Sequence, residues 1–405
     1  MPKPVHAGRL FNASCVALIT TAMAFAIRGG IMSQLGREFH LSAEELGWVV
    51  GTAFWGFTLA MVIGGSLCDV VGMGRLLVIA WIGHIAGIVL TIFSTGFWSL
   101  FISTLLVGLA NGAVEAACNP LVASLYPDDK TTKLNLFHAW FPGGLVIGGL
   151  VVYFLDKLHL GWQMQIGTML LPTVVYGIMF IGQSFPQTER VTSGVSTADM
   201  FKECLRPLYL FMICCMFLTA ATENGTNQFI TFLLESSGVP SILVLVWITG
   251  LMTVGRLFAG PVVHRVSPPG MLLISAVFSV IGLVFLSMAQ GQMAFVAAFF
   301  YAVGVCYFWP TMLGFVSERL PKTGALGLAV MGGAGMLSAS VALPVMGRIY
   351  DSGLAAAATA GIAGDAAKIA AGASVLRWMA ILPVVLIVAF AALAFHQRGK
   401  GVEKI

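Results

Sequence analysis

Apolar runs of about 20 residues, the length a helix needs to cross the hydrocarbon core of a bilayer, recur along the whole chain with short polar breaks between them. Twelve such runs lie at 10–32, 44–67, 75–95, 97–126, 134–155, 163–185, 207–235, 239–263, 270–289, 292–317, 325–350 and 374–396. A chain that is 58% hydrophobic and 9% charged, with a mean hydropathy of +0.94, does not fold as a soluble domain. The first run follows Lys3 and Arg9 as a secretory signal would, but it is too long and further spans follow at once, so it reads as an uncleaved helix. Ser42 with Glu45 three positions on has the pattern of a capping box at the start of the second helix.

Basic residues set the expected orientation. With the N-terminus inside, the cytoplasmic segments carry 14 Lys and Arg and the outer segments five, while Arg28 and Arg256 fall inside spans. Both termini are therefore expected in the cytoplasm. The net charge of +4 follows from this bias and gives no reason to invoke nucleic acid. The seven cysteines show neither metal-ligand nor disulfide spacing, and the sequon at Asn224-Gly225-Thr226 falls inside a span, where it reads as a chance match.

The two halves echo each other. Gly65 to Asp69, with Gly72 and Arg75 after it, is matched by Gly260 to His264 and Gly270. Pro120 with Gly143-Gly144 is matched by Pro310 with Gly332-Gly333, at an offset of about 190 residues, as duplicated halves would give. The expected organisation is an all-α membrane protein of twelve transmembrane helices in two pseudo-symmetric six-helix bundles, 1–185 and 207–405, joined by a polar cytoplasmic linker at 186–206. The segment 353–372, rich in Ala and Gly, reads as a short helix or a mobile loop on the outer side.

Twelve spans, two halves and Gly65-Ser66-Leu67-Cys68-Asp69 at the end of the second span resemble the major facilitator superfamily over essentially the full length. That superfamily places basic residues directly after the Asp and the following Gly, where this chain has Val70 and Met73, with Arg75 slightly later. A narrower resemblance is to fucose-proton symporters, carried by Glu115-Ala116-Ala117-Cys118-Asn119-Pro120, Leu134-Asn135-Leu136, Gly255-Arg256 and Pro310-Thr311. It implies proton-coupled uptake of a sugar or similar polyol, with Glu115 as the acid that takes the proton. The acid those symporters also carry in the first span is absent, and Arg28-Gly29-Gly30 stands there.

The residues support a polar site near the midplane independently. A carboxylate at bilayer depth costs roughly 3 kcal/mol or more, so an acid that persists there faces a cavity, a partner or a proton path. Asn111, Glu115 and Asn119, four apart, form one polar stripe flanked by the small residues Gly108, Gly112 and Ala116. Asn135 and His138 share a face of the fifth span and are candidate substrate contacts, equally readable as interhelical hydrogen bonds. Gly144 and Gly148 read as packing, and His84 as structural. The seventh span holds a second cluster, Glu223, Asn224, Asn227 and Gln228, with two readings: its amides and acid bind hydroxyls, or they are simply wet at an outer mouth.

Arg28 has two readings: it pairs with Glu115, or it attracts a carboxylate or phosphate on the substrate. Arg256 is expected to serve gating or helix-end contacts together with Asp69 and Arg75, its long side chain snorkelling to the interface. Tyr307 and Trp309 beside Pro310 offer rings on which a sugar can stack, with aromatic core packing as the other reading of each.

No Gly-rich loop ending in Gly-Lys-Ser/Thr, no His-Glu-x-x-His and no Gly-x-Ser-x-Gly occurs, which argues against ATP as driving force and against an enzyme. The expectation is a monomeric secondary transporter of the plasma (inner) membrane, without cofactor or metal. It imports a small polar solute such as a sugar by alternating access, coupled to protons, with sodium as the other possible driver. The competing readings are an organic-anion carrier anchored by Arg28 and a membrane receptor that does not transport.

Overall fold

The structure is a computed structural model, described over residues 5–126, 133, 136–186, 202–257, 266–320 and 323–397; for 65–70, 123, 257, 317–318, 324–325, 328 and 397 the backbone alone is described. The chain divides into two compact units, Met1–Val195 and Ser196–Ile405. Among the described residues the regular structure is helical in both.

The first unit contains α1 (Ala7–Phe39), α2 (Ala43–Val71), α3 (Met73–Ile92), α4 (Phe97–Leu125), α5 (Trp140–Lys157), α6 (Trp162–Gly167) and α7 (Leu170–Phe180). The capping box forms as the sequence predicts: Ser42 N–H donates to Glu45 Oε2 at 2.8 Å, and Glu45 N–H to Ser42 Oγ at 3.2 Å. Between α2 and α3 the chain reverses at Gly72, whose φ of +90° is a conformation that side chains disfavour. Small residues then fix how closely helices approach. A Cβ on Gly108 or Gly112 of α4 would run into the backbone of Ala53 or Phe57 on α2, and one on Gly144 or Gly148 of α5 into Ala22 or Ala26 of α1. Around these crossings Leu10, Leu18, Leu77, Val114, Leu121 and Tyr176 are buried in one apolar cluster.

The second unit contains α8 (Pro207–Ala220), a π-helical turn (Ala221–Gly225), α9 (Thr226–Leu233), α10 (Ser241–Leu257), α11 (Pro268–Leu286), α12 (Met293–Val305), α13 (Phe308–Arg319), α14 (Gly324–Thr359) and α15 (Gly364–Gln397). Gly282 and Gly304 bring α11 and α12 into backbone contact.

Ten described helical stretches are long and apolar enough to cross a membrane. The chain is thus a multi-pass membrane protein, and residues such as Ile79, Ile82, Trp98, Leu171 and Val388 keep large apolar side chains outward, as a hydrocarbon solvent allows. Two of the expected spans are not among the ten. The sixth is interrupted between α6 and α7, and the eighth is described only as the shorter helix α10, after which 258–265 lie outside the described residues. Most of the expected linker, 187–201, also lies outside them.

The Ala- and Gly-rich segment is not a loop. It continues α14, which runs for 36 residues, and opens α15 after a break of four residues, 360–363. Alanine carries the best intrinsic helix propensity, and at 1.5 Å per residue α14 is about 54 Å long, well beyond a hydrocarbon core of roughly 30 Å. Gly353 lies against Ala371 where the two helices meet, and Ser236 Oγ donates to Asp365 Oδ1 at 2.8 Å.

Candidate functional site

In the first unit Glu115 is 6% exposed within α4, and its Oε2 accepts a hydrogen bond from Asn119 Nδ2 at 2.9 Å, one turn along the same helix. The carboxamide oxygen of Asn119 has no partner. The expected ion pair with Arg28 is not formed. Arg28, 3% exposed on α1, finds no hydrogen-bond partner for any of its three guanidinium nitrogens, while Glu115 Oε2 is bonded within its own helix.

Asn111, the third member of the expected stripe, is fully buried and engaged elsewhere. Its Oδ1 lies 2.7 Å from His84 Nε2 on α3, and His84 Nδ1 lies 2.8 Å from the hydroxyl of Tyr176 on α7. A carboxamide oxygen only accepts, so Nε2 carries the proton and the neutral ring accepts the Tyr176 hydroxyl at Nδ1. The chain of bonds ties three helices together, which is the structural role expected of His84. Nothing in the sequence distinguishes Tyr176 from a packing aromatic. Asn111 Nδ2 is left without a partner, and the charge of Arg28 acts on His84.

His138 is exposed, its ring 5.0 Å from that of Phe137, and Asn135 lies outside the described residues. Arg75 is exposed in the first turn of α3, and Asp69 belongs to α2 with its side chain outside the described set.

The second unit holds the denser arrangement. The seventh span does not run as one α-helix: the π-turn Ala221–Gly225 interrupts it at Glu223. A π-turn widens the ladder to i→i+5 and releases carbonyls from their usual donors. Tyr301 of α12 takes them, its hydroxyl 2.9 Å from the carbonyl of Thr222 and 3.2 Å from that of Glu223. The turn also breaks the simple i, i+4 register expected for Glu223, Asn224, Asn227 and Gln228. Asn224 is half-buried while the other three are buried. Asn227 Nδ2 makes only a long contact with Met252 Sδ at 4.0 Å, and Glu223 Oε2, Thr226 Oγ1 and Asn227 Oδ1 have no partner.

Arg256 does not reach to the interface. Its Nη2 donates to Glu223 Oε1 at 2.9 Å and its Nε to the carbonyl of Cys306 at 3.0 Å. That carbonyl is free for a sequence reason. Residue 310 would normally donate to it as the i+4 N–H, and Pro310 has none. The tenth span accordingly breaks between α12 and α13 at Cys306-Tyr307, and Tyr307 Oη donates to Gly255 carbonyl at 2.9 Å. Trp309, in the first turn of α13, packs its ring over Gly335 of α14, beside Met216. Helix breaks, a buried ion pair and unpartnered oxygens thus converge on one region of this unit. The sequence marks Pro310, Glu223 and Arg256 individually, but gives no sign of the π-turn or of Tyr301.

Residues 14–343 match the Major Facilitator Superfamily. The chain is 29% identical over 157 residues to a D-xylose transporter of Levilactobacillus brevis, covering 38% of this chain and 34% of that protein. It is 23% identical over 230 residues to D-xylose-proton symporter-like 2 of Arabidopsis thaliana, covering 55% of this chain and 43% of that one. The matched stretches therefore span less than half of either relative. The crystal structure of a D-xylose-proton symporter superposes with a TM-score of 0.74 over 92% of this chain and 96% of its own, at 15% identity, a likeness of fold.

Proposed function

The chain belongs to the Major Facilitator Superfamily, and from that membership we propose that it is a secondary transporter carrying a small polyhydroxylated solute of the sugar type in symport with protons. The proposal includes twelve spans with both termini cytoplasmic, a monomer in the plasma (inner) membrane, and alternating access between two halves. The family and the relatives named above are transporters rather than enzymes. The three proteins it is compared with above all carry D-xylose in their names, one as a proton symporter and one as proton symporter-like. The narrower kinship with fucose-proton symporters rests on the short motifs around Glu115, Arg256 and Pro310.

One observation carries the proton reading. Glu115 is buried in the body of an apolar helix, and among the described residues the only hydrogen bond to its carboxylate comes from Asn119. An acid at that depth, without a cation bonded to it, is a costly placement that persists where it serves a cavity, a partner or a proton path. The solute is bound by the amide and acid groups of the second unit, Glu223, Asn227 and Gln228, with Asn224 and Trp309 as further contacts and Arg256 setting the orientation of Glu223. In the first unit Asn119 with its open carboxamide oxygen, His138 and Asn135 belong to the same proposal, and Asp69 and Arg75 to gating.

Reconstitution in liposomes tests it. Uptake of labelled D-xylose or a related sugar should rise severalfold when an inward proton gradient is imposed. Glu115→Gln should abolish accumulation against a gradient while leaving exchange of labelled for unlabelled solute intact. Equal accumulation by the variant rejects Glu115 as the proton carrier, and a sodium-gradient response in place of a proton response rejects the coupling ion.

A further inference from the structure

Arg28 is the anomaly among the well-described arginines. Arg9 donates to the carbonyls of Met179 and Ile178, and Arg256 to Glu223 and the carbonyl of Cys306, so each has acceptors suited to a charged donor. Arg28 lies deeper than either, 3% exposed in α1, and all three of its nitrogens are unpartnered. A guanidinium keeps its charge under nearly all conditions. A buried cation without an acceptor is among the costliest placements a membrane helix can hold, and it persists where a counter-charge arrives from elsewhere. Within the first unit Glu115 does not supply one, since Asn119 holds it.

We propose that the transported solute carries one carboxylate and that Arg28 receives it, so that the cargo is a sugar acid or similar hydroxy acid rather than a neutral sugar. This deepens the reading of the chain as a carrier of a polyhydroxylated solute and rests on it. The planar fork of the guanidinium matches the two oxygens of a carboxylate, with two parallel charge-assisted hydrogen bonds. A phosphate ester, with close to two negative charges at neutral pH, fits worse beside a single open cation. Donors for the rest of such a molecule are at hand in the same state. Thr21, two turns before Arg28 on the same strip of α1, has a buried, unpartnered hydroxyl. Asn111 Nδ2 is likewise open, on an amide bonded to the His84 that feels the charge of Arg28.

Matched pairs of probes test the inference on the purified full chain: D-glucuronate with D-glucose, and D-galacturonate with D-galactose, with glucose 6-phosphate as a third charge state. Binding is read as a shift of thermal unfolding, and transport as counterflow in liposomes. Each uronate should bind about tenfold or more tighter than its neutral partner, and Arg28→Gln should erase that preference. Arg28→Lys keeps the charge without the fork and should retain part of it, which also guards against a Gln variant that fails to fold. Neutral sugars that bind as well as the uronates, a preference that survives in Arg28→Gln, no shift with any uronate, or a phosphate ester that outcompetes them would each overturn the carboxylate assignment. Counterflow of neutral sugars with no preference sinks this inference and leaves the transport reading standing. Arg28-dependent uronate binding without counterflow of any probe does the reverse.

Discussion

Glu223 Oε1 accepts a hydrogen bond from Arg256 Nη2 at 2.9 Å, joining the π-turn of the seventh span to α10 in an environment where Glu223 is only 5% exposed. Removing one partner strands the other charge, and for buried pairs this costs about 3–5 kcal/mol, whereas removing both costs much less. Glu223→Gln and Arg256→Gln should therefore each lower the unfolding midpoint more than the double variant does. Arg256 is the more exposed member, so its removal alone should sit toward the severe end, because the carboxylate left behind is the more deeply buried. Thermal unfolding of the three proteins in one detergent decides it, and strict additivity would count against a coupled pair.

The Tyr301 hydroxyl has a separate task, holding the carbonyls of Thr222 and Glu223 that the π-turn releases. Tyr301→Phe keeps the ring and loses those bonds, a cost of about 1–3 kcal/mol for buried acceptors left open. The seventh span is then free to return to α-helical register and rotate Glu223 away from Arg256. Solute affinity should fall severalfold along with stability. Tyr307→Phe, which loses one bond to Gly255 from a half-buried position, is the milder control.

In the first unit Tyr176→Phe leaves His84 Nδ1 without its 2.8 Å partner. The His84 and Tyr176 side chains are buried and tie α3 to α7, and the separate bond from His84 Nε2 to Asn111 Oδ1 does not involve the hydroxyl that is removed. Stability should drop by about 1–3 kcal/mol with the apparent affinity for solute unchanged. An altered affinity at equal folded fraction would move His84 from the frame of the protein into its working parts.

Close helix approach makes the last prediction directional. Gly112→Val puts a branched side chain onto the Phe57 carbonyl and the Ala60 methyl, so it should destabilise by about 1–3 kcal/mol or prevent assembly of the first unit. Gly143→Ala meets nothing nearer than the Trp140 ring at 3.9 Å and should be tolerated. Expression level and unfolding midpoint of the two variants separate them.

Much of the helical plan was legible because hydrocarbon length and apolar runs leave little choice of element, and the Ser42–Glu45 cap was readable because its chemistry is local. The site was legible only as a set of residue types. Glu115, Arg28, Glu223 and Arg256 stand out as charges in apolar helices, but their partners depend on helix rotation and on faults in the helices. Glu115 is bonded by Asn119 of its own helix and not by the Arg28 guanidinium. Arg256 turned inward because a π-turn and a proline-released carbonyl offered it two acceptors, features that single-residue spacing does not encode. The Ala- and Gly-rich segment, readable as a short helix or a loop, is helical on both sides of 360–363 but as parts of two long helices, because Gly353 allows contact with Ala371 inside a helical pair and does not mark a break.

Pro310 and Arg256 form a lock whose keyhole is made by an imino acid. The oxygen of Cys306 can serve either the backbone ladder or the guanidinium, and the ring at 310 removes the first contender. With alanine there, the amide of 310 would compete for that oxygen, the tenth span would tend to straighten, and the arginine would hang from Glu223 by one tether in place of two. A residue that touches neither cargo nor proton thereby governs how firmly the charged centre of the second unit is aimed.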